Sequence, residues 1–273
     1  MIYKTPPHIK IDEKHHVEEP FLEELDKLGW DIIRLSQTQK PKDSFRDSFS
    51  EVVLVPKLKK ALKDINPWIE DDQIDDVVKP ITRLSKSSLI EANQEVLNLI
   101  LENTSVSENR KSKEKSPTVR YMDFKNPSKN NYTAISQFKI RILGTEHHFY
   151  PDIILFVNGI PIVVVECKSP KVKEPIAEAV DQLLRYSEQR GEKNEGNKSL
   201  FFYNQFIVTS CRNECKFGTI TTQIEKHFFR WTDPYPKTID QIAPHGRSPN
   251  DQVRLIHGML DKNNLLSLIK IFT

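Results

Sequence analysis

No run of apolar residues in these 273 amino acids approaches the roughly 18–20 that a membrane-spanning helix needs. The amino terminus, Met1-Ile-Tyr-Lys-Thr-Pro-Pro, lacks the apolar core of a secretion signal. Cysteine is scarce. Cys167, Cys211 and Cys215 are an odd set, and the last two have neither a second pair nor a suitable histidine to build a zinc site. Free thiols in a reducing cytoplasm are therefore expected. Charge of one sign is also missing: 40 Lys and Arg against 38 Asp and Glu leave a net charge of +2, so any nucleic-acid surface has to be a local patch. The length is enough for a sizeable core and one or two domains.

What the chain does have is concentrated in residues 151–168, Pro-Asp-Ile-Ile-Leu-Phe-Val-Asn-Gly-Ile-Pro-Ile-Val-Val-Val-Glu-Cys-Lys. Two β-branched runs, Ile153–Val157 and Ile162–Val165, flank Asn158-Gly159, a strong signal for a tight antiparallel hairpin. Asp152 opens the first run, and the second ends in Glu166 and Lys168, so the charged residues gather at the open end. Ions lose hydration where buried strands emerge, which makes them poor packing material. They suit a divalent cation and a phosphate, because Mg²⁺ takes one or two carboxylates and fills its other positions with water and phosphate oxygens. A strict two-residue turn would place Asp152 opposite Val165 and put the two carboxylates on different faces. If they share an ion, a three-residue turn, a bulge, or an Asp152 just outside the strand is required. Spacing alone accommodates an edge hairpin with solvated ends equally well.

Around this hairpin the periodicity predicts a helix over 14–28, with Phe21, Leu22, Leu25 and Leu28 as its buried stripe, and a short strand over Trp30–Leu35. A helical insertion is expected over about 46–101: Arg46–Leu62 interrupted by Pro56, 70–79 stopped by Pro80, and Ser88–Leu101. Residues 102–118 have little to bury and read as a mobile loop. Strands are expected at Val119–Asp123 and Tyr132–Leu143. Pro175 opens a helix with Ile176, Ala179, Val180, Leu183 and Leu184 inward. Phe201–Ser210 reads as a buried strand, Arg212–Gly218 as a turn, Thr219–Thr221 as a short strand, and 223–231 as helical. Residues 233–250 read as a linker and 253–272 as an amphipathic helical stretch. On the helix after Lys168, Gln182 and Tyr186 project from one face a turn apart. Lys171, Lys173, Arg185 and Arg190 could rim a DNA backbone. His147 and His148 precede the acidic end and read mainly as exposed loop residues.

Pro151-Asp152 followed by Glu166-Cys167-Lys168 resembles the P-D…(D/E)-x-K nuclease signature, and Gln182-x-x-x-Tyr186 resembles the additional Q-x-x-x-Y motif of its type I restriction branch. With Asn204-Gln205-Phe206, Phe217-Gly218-Thr219 and Phe228-Phe229-Arg230-Trp231, the likeness to the amino-terminal part of the type I restriction enzyme R (restriction) subunit covers nearly the whole chain. The resemblance implies an α/β (α+β) fold, a restriction-endonuclease-like core whose mixed sheet is flanked by helices. It also implies a Mg²⁺-dependent endonuclease acting on double-stranded DNA. Asp152 and Glu166 would be metal ligands with the Cys167 carbonyl a third, Lys168 the catalytic lysine, and Gln182 and Tyr186 accessory. A glutamate of the first helix would join them: Glu18 fits by its position relative to Leu22, Leu25 and Gly29-Trp30, with Glu19 the alternative. The implied division is a nuclease domain over 1–232, then 233–273 as linker and helical start of an ATP-dependent translocase. The sequence has no G-x-x-x-x-G-K-[ST] loop, so ATP would belong to that further part. Methyltransferase and specificity subunits would be the partners, the compartment cytoplasmic, and no membrane involved. The alternative is a docking or DNA-binding domain that does not cleave on its own.

Overall fold

The computed structural model describes residues 12–107, 109, 111–192, 194–243 and 248–272. The amino-terminal stretch read for a secretion signal lies outside the described residues, as do 108 and 110 of the expected loop. A seven-stranded mixed sheet forms the centre, and its strands lie side by side in chain order. They are β1 (Asp31–Arg34), β2 (Tyr132–Ser136), β3 (Ile153–Val157), β4 (Ile160–Cys167), β5 (Phe206–Cys211), β6 (Glu214–Gly218) and β7 (Phe229–Arg230). β1–β2 and β4–β5 are parallel and the other pairs antiparallel. Parallel neighbours need a long crossover. Between β1 and β2 the chain supplies three helices, following α1 (Glu19–Lys27): α2 (Val55–Ile65), α3 (Asp71–Thr82) and α4 (Leu89–Glu102). Between β4 and β5 it supplies α5 (Pro175–Tyr186). The chain then adds α6 (Ile239–Ile242), α7 (Asp251–Gly258) and α8 (Lys262–Phe272).

Every residue of β3 and β4 is buried, which is why both read as unbroken apolar runs rather than alternating ones. Asn158 and Gly159 take φ of 54° and 80°, the left-handed pair that a two-residue hairpin turn requires. The turn is pressed against the start of α2. Leu54 N–H donates to the Gly159 carbonyl at 2.8 Å, and a Cβ on Gly159 would stand 2.6 Å from the Leu54 oxygen. Asn158 also latches the hairpin to its surroundings, its Nδ2 donating to the Tyr121 carbonyl and to Asn130 Oδ1, both at 2.8 Å.

Several boundaries differ from expectation for local reasons. Pro56 lies in the first turn of α2, where a missing N–H costs nothing, so it opens that helix and residues 46–54 are irregular. Pro80 sits in the last turns of α3, which runs on to Thr82. The long strand expected over Tyr132–Leu143 ends at Ser136, because Gln137 turns left-handed at φ 56°, and Ile140–Arg141 then pairs with His148–Phe149 instead. Residues 214–218 form a strand rather than a turn; Thr219–Thr221 is a turn, and 223–231 holds a single 3₁₀ turn before β7. Of Val119–Asp123 only Val119 is strand, in a two-residue ladder of Thr104–Ser105 with Thr118–Val119. That ladder closes the base of the 102–118 stretch, within which Val106 and Asn109 are buried. α7 lies on α1 and β6, and Leu255, Ile256, Met259 and Leu260 join the same apolar core as the sheet.

Gly159→Ala combines a left-handed backbone with a Cβ inside contact distance of two α2 backbone atoms, the Leu54 oxygen and the Leu58 nitrogen at 2.9 Å. The expected loss is about 2–3 kcal/mol, read from urea unfolding with the denaturant slope unchanged.

Candidate active site

The carboxylates are brought together by a single extra residue. Ile153 pairs with Val165 and Leu155 with Val163, whereas beyond the irregularity Phe156 pairs with Pro161 and Val157 with Ile160. Ile162 is therefore bulged. The ladder is advanced by one residue, and its continuation sets Asp152, just outside the strand, against Glu166 rather than Val165. The contact is tight: Cys167 N–H donates to Asp152 Oδ2 at 2.7 Å. Lys168 folds back at the same end, its Nζ 2.8 Å from Glu166 Oε1 and 3.0 Å from the Cys167 carbonyl.

Glu18 arrives from the helix that leads into α1. Residues Lys14–Glu18 form a wide π turn in which Glu19 N–H bonds the Lys14 carbonyl, five residues back. Pro20 supplies the physical reason, since a proline ring clashes with the carbonyl four residues before it and has no N–H to offer. The wide turn aims Glu18 inward, where Gln137 Nε2 donates to Glu18 Oε2 at 2.9 Å and to Asp152 Oδ1 at 3.3 Å. Glu19 points elsewhere and pairs with Arg34 at 2.9 Å. Gln137 is the residue that sequence reading misses. One glutamine in a polar-alternating strand carries no signal, and its position follows from the left-handed break after β2, which also lets its N–H donate to the Asp152 carbonyl at 2.9 Å.

The four ionisable groups are almost dry: Glu18 is 2% exposed, Asp152 6%, Glu166 0% and Lys168 5%. Fully ionised, three carboxylates against one ammonium leave two uncompensated negative charges. Burial, and then repulsion from Asp152, push Glu18 up to about 7. Burial pushes Asp152 up to about 6 despite the Cys167 N–H. Complete burial and the Asp152 charge also raise Glu166 well above the ordinary glutamate range. Burial pulls Lys168 down, but Glu166 and Asp152 overcome it and hold the ammonium above the usual lysine value. Two buried oxygens, Glu18 Oε1 and Glu166 Oε2, have no hydrogen-bond partner. Oxygen acceptors without donors, around a net negative charge, are the donor set of a hard divalent cation. Among the described residues no group of three or more His, Cys, Asp or Glu side chains is arranged to hold a metal ion by itself. Mg²⁺ does not need one, because it keeps several waters.

The second rank also assembles. Gln182 Nε2 donates to the Tyr186 hydroxyl at 2.5 Å, Tyr186 stacks on Phe149 at 4.5 Å between ring centres, and its hydroxyl is raised first by burial and then by the Glu166 charge. The expected basic rim is divided. Lys171 and Lys173 are exposed on the loop after Lys168, whereas Arg190 is engaged by Asp181 at 2.8 Å and Glu195 at 3.7 Å, and Arg185 lies over the Tyr186 ring. His147 is exposed; His148 packs edge-on to Phe49 and is lowered by burial and by Lys139 and Arg141.

Residues 10–226 match the family described as type I restriction enzyme R protein N terminus. The type I restriction enzyme HindI endonuclease subunit of Haemophilus influenzae is 28% identical over 262 residues, 95% of this chain and 24% of its own length. The type I restriction enzyme EcoprrI endonuclease subunit of Escherichia coli is 34% identical over 120 residues, 44% of this chain and 36% of its own length. The chain thus spans only about a quarter to a third of these relatives.

The raised carboxyls set a direction for stability against pH. These carboxyls hold protons in the folded state that the unfolded state releases, so without a divalent ion the cluster's contribution to stability is full below about pH 4 and is lost as pH rises through 6 to 7. Moving Asp152 from 3.8 to about 6 alone corresponds to on the order of 3 kcal/mol. Urea unfolding in chelator should show this decline, Asp152→Asn should flatten it, and millimolar Mn²⁺ at pH 7.5 should reverse it. Stability that climbs between pH 4.5 and 7 in chelator would contradict the assignment.

Proposed function

The chain belongs to the type I restriction enzyme R protein N-terminal family, and from that membership we propose that it is the nuclease domain of such a subunit, hydrolysing phosphodiester bonds of double-stranded DNA with Mg²⁺. The observation that carries this reading is the pair of unpartnered buried oxygens, Glu18 Oε1 and Glu166 Oε2, beside Asp152 and a charged Lys168. Asp152, Glu166 and Glu18, with the Cys167 carbonyl, are the groups that would hold the ion. Bound there, Mg²⁺ would supply Lewis-acid polarisation of the phosphate and a more acidic water.

The chain's own residues divide the remaining work. Glu166 uses Oε1 to pin Lys168 and leaves Oε2 open. Lys168, held protonated by that carboxylate, is suited to stabilising charge on the phosphate and orienting the attacking water rather than removing a proton from it. Gln137 keeps Glu18 and Asp152 at a fixed spacing through one amide. Tyr186, bonded to Gln182, lies within reach of the Glu166 charge and would act as an accessory group, and Lys171 and Lys173 offer exposed charge to the DNA backbone. Recognition through phosphates alone is weak and salt-sensitive, and carries no sequence choice. In the longer protein the same reading assigns ATP-driven translocation to the rest of the subunit, and site choice to a specificity subunit bound with methyltransferase subunits, in the cytoplasm. No helix among the described residues is long and apolar enough to cross a membrane.

The test pairs calorimetry with Mn²⁺ and nicking of supercoiled plasmid in Mg²⁺. Asp152→Asn and Glu166→Gln should abolish both ion binding and nicking. Lys168→Ala should keep ion binding within severalfold while lowering nicking at least about 100-fold. Cleavage unchanged in all three variants with intact folds would remove the proposal; ion binding without cleavage by the unaltered chain would favour a docking domain instead.

A further inference from the structure

The acidic cluster is braced from behind by a residue outside the span that matches the family. Gln252, on α7, is 2% exposed, and its Nε2 donates to the Val17 carbonyl and to Ser210 Oγ, each at 3.0 Å. Val17 immediately precedes Glu18 within the π turn. Ser210, on β5, is the register partner of Cys167, and its carbonyl accepts the Lys168 N–H at 2.8 Å. The two hydrogens of one amide thus tie together the two elements that carry the acidic groups: the helix that brings Glu18 and the strand ends that bring Glu166 and Lys168.

A tie is needed there for two reasons. A π turn has poorer backbone hydrogen bonding than an α-helix, and Pro20 removes a further donor. The side chain the turn carries faces Asp152, whose charge repels it, so repulsion drives Glu18 outward whenever both ionise. α7 is a firm anchor, because it is held by more than Gln252. Asn250 caps it through the Val253 N–H at 2.9 Å, Leu255 and Ile256 are fully buried, and His257 Nε2 lies 2.8 Å from Glu24 Oε2 on α1.

We propose that Gln252 is a positioning residue that holds Glu18 within reach of the ion bound by Asp152 and Glu166, so that α7 forms part of the scaffold of the site. The inference rests on the metal-site reading above. Removing the amide leaves α7 in place and frees the Val17–Glu18 turn, so the effect reaches the ion only through Glu18. Groups that orient metal ligands from behind typically account for 10–100-fold in affinity.

The experiment uses the 273-residue chain with Gln252→Met, which keeps the shape and loses both donors, alone and combined with Glu18→Gln. Mn²⁺ affinity is read by calorimetry, and amide hydrogen exchange of residues 14–19 is read in chelator. Gln252→Met should weaken Mn²⁺ binding by roughly tenfold or more. In the Glu18→Gln background it should add less than about twofold, because the ligand it positions is already gone. In the ion-free protein, exchange of the 14–19 amides should accelerate while that of β3 and β4 stays as in the unaltered chain. Gln252→Asn, which keeps an amide too short to span both partners, should act in the same direction and serves if the methionine variant does not fold. Unaltered affinity and exchange in a folded variant, or an equal loss with Glu18→Gln present, would overturn the positioning role while leaving the metal site standing. Failure of the unaltered chain to bind Mn²⁺ would overturn the metal-site reading, and this inference with it.

Discussion

Three carboxyl groups and one ammonium lie together where almost no water reaches, and the excess of negative charge has nowhere to go within the protein. Much of the surrounding architecture is explained by that imbalance. The Cys167 N–H and the Gln137 amide are directed at the carboxylates, and Lys168 neutralises one of them. Two buried oxygens are still left bare. Burial without compensation raises the affinity of each carboxyl for a proton, and by the same electrostatics its affinity for a cation. On the proposed reading, a divalent ion would relieve the repulsion among these ionised carboxylates.

The sheet delivers this arrangement with few devices. A left-handed Asn158-Gly159 turn fixes where β3 and β4 meet, a bulge at Ile162 advances their register by one residue, and the parallel β4–β5 pair fixes the strand end that carries Lys168. The helical side contributes through a defect, the π turn ahead of Pro20, and such turns recur at functional sites. The carboxyl-terminal helices share the core of the sheet, and through Gln252 α7 also touches the turn that carries Glu18. Whatever moves α7 in a longer protein has a direct mechanical path to the acidic cluster.

Much of this was legible in the residues, and what was not has identifiable causes. The hairpin and α5 are local: turn chemistry at Asn158-Gly159 and a 3.6-residue stripe from Ile176 to Leu184 specify them without help from the rest of the chain. The bulge was legible only as a requirement. Ile160–Val165 is apolar on both faces, so a one-residue slip moves no polar group into the core and leaves no trace in the pattern. Its need followed from the two carboxylates, not from the strands. Spacing ahead of Leu22 favoured Glu18 over Glu19, but what separates them is structural: a π turn aims Glu18 inward, and Arg34 from β1 engages Glu19. Gln137 and Gln252 were invisible for the same reason: each acts across more than 100 residues of sequence on a backbone or carboxylate group that only the fold brings near.

The most direct measurement is an anomalous difference map from crystals of the chain soaked with Mn²⁺ at neutral pH. The account predicts a single strong peak in coordination distance, about 2.0–2.3 Å, of oxygens from both Asp152 and Glu166, with Glu18 beside it. A map with no peak there at saturating Mn²⁺, or with the ion bound by only one of the two strand carboxylates and the other turned away, would contradict it.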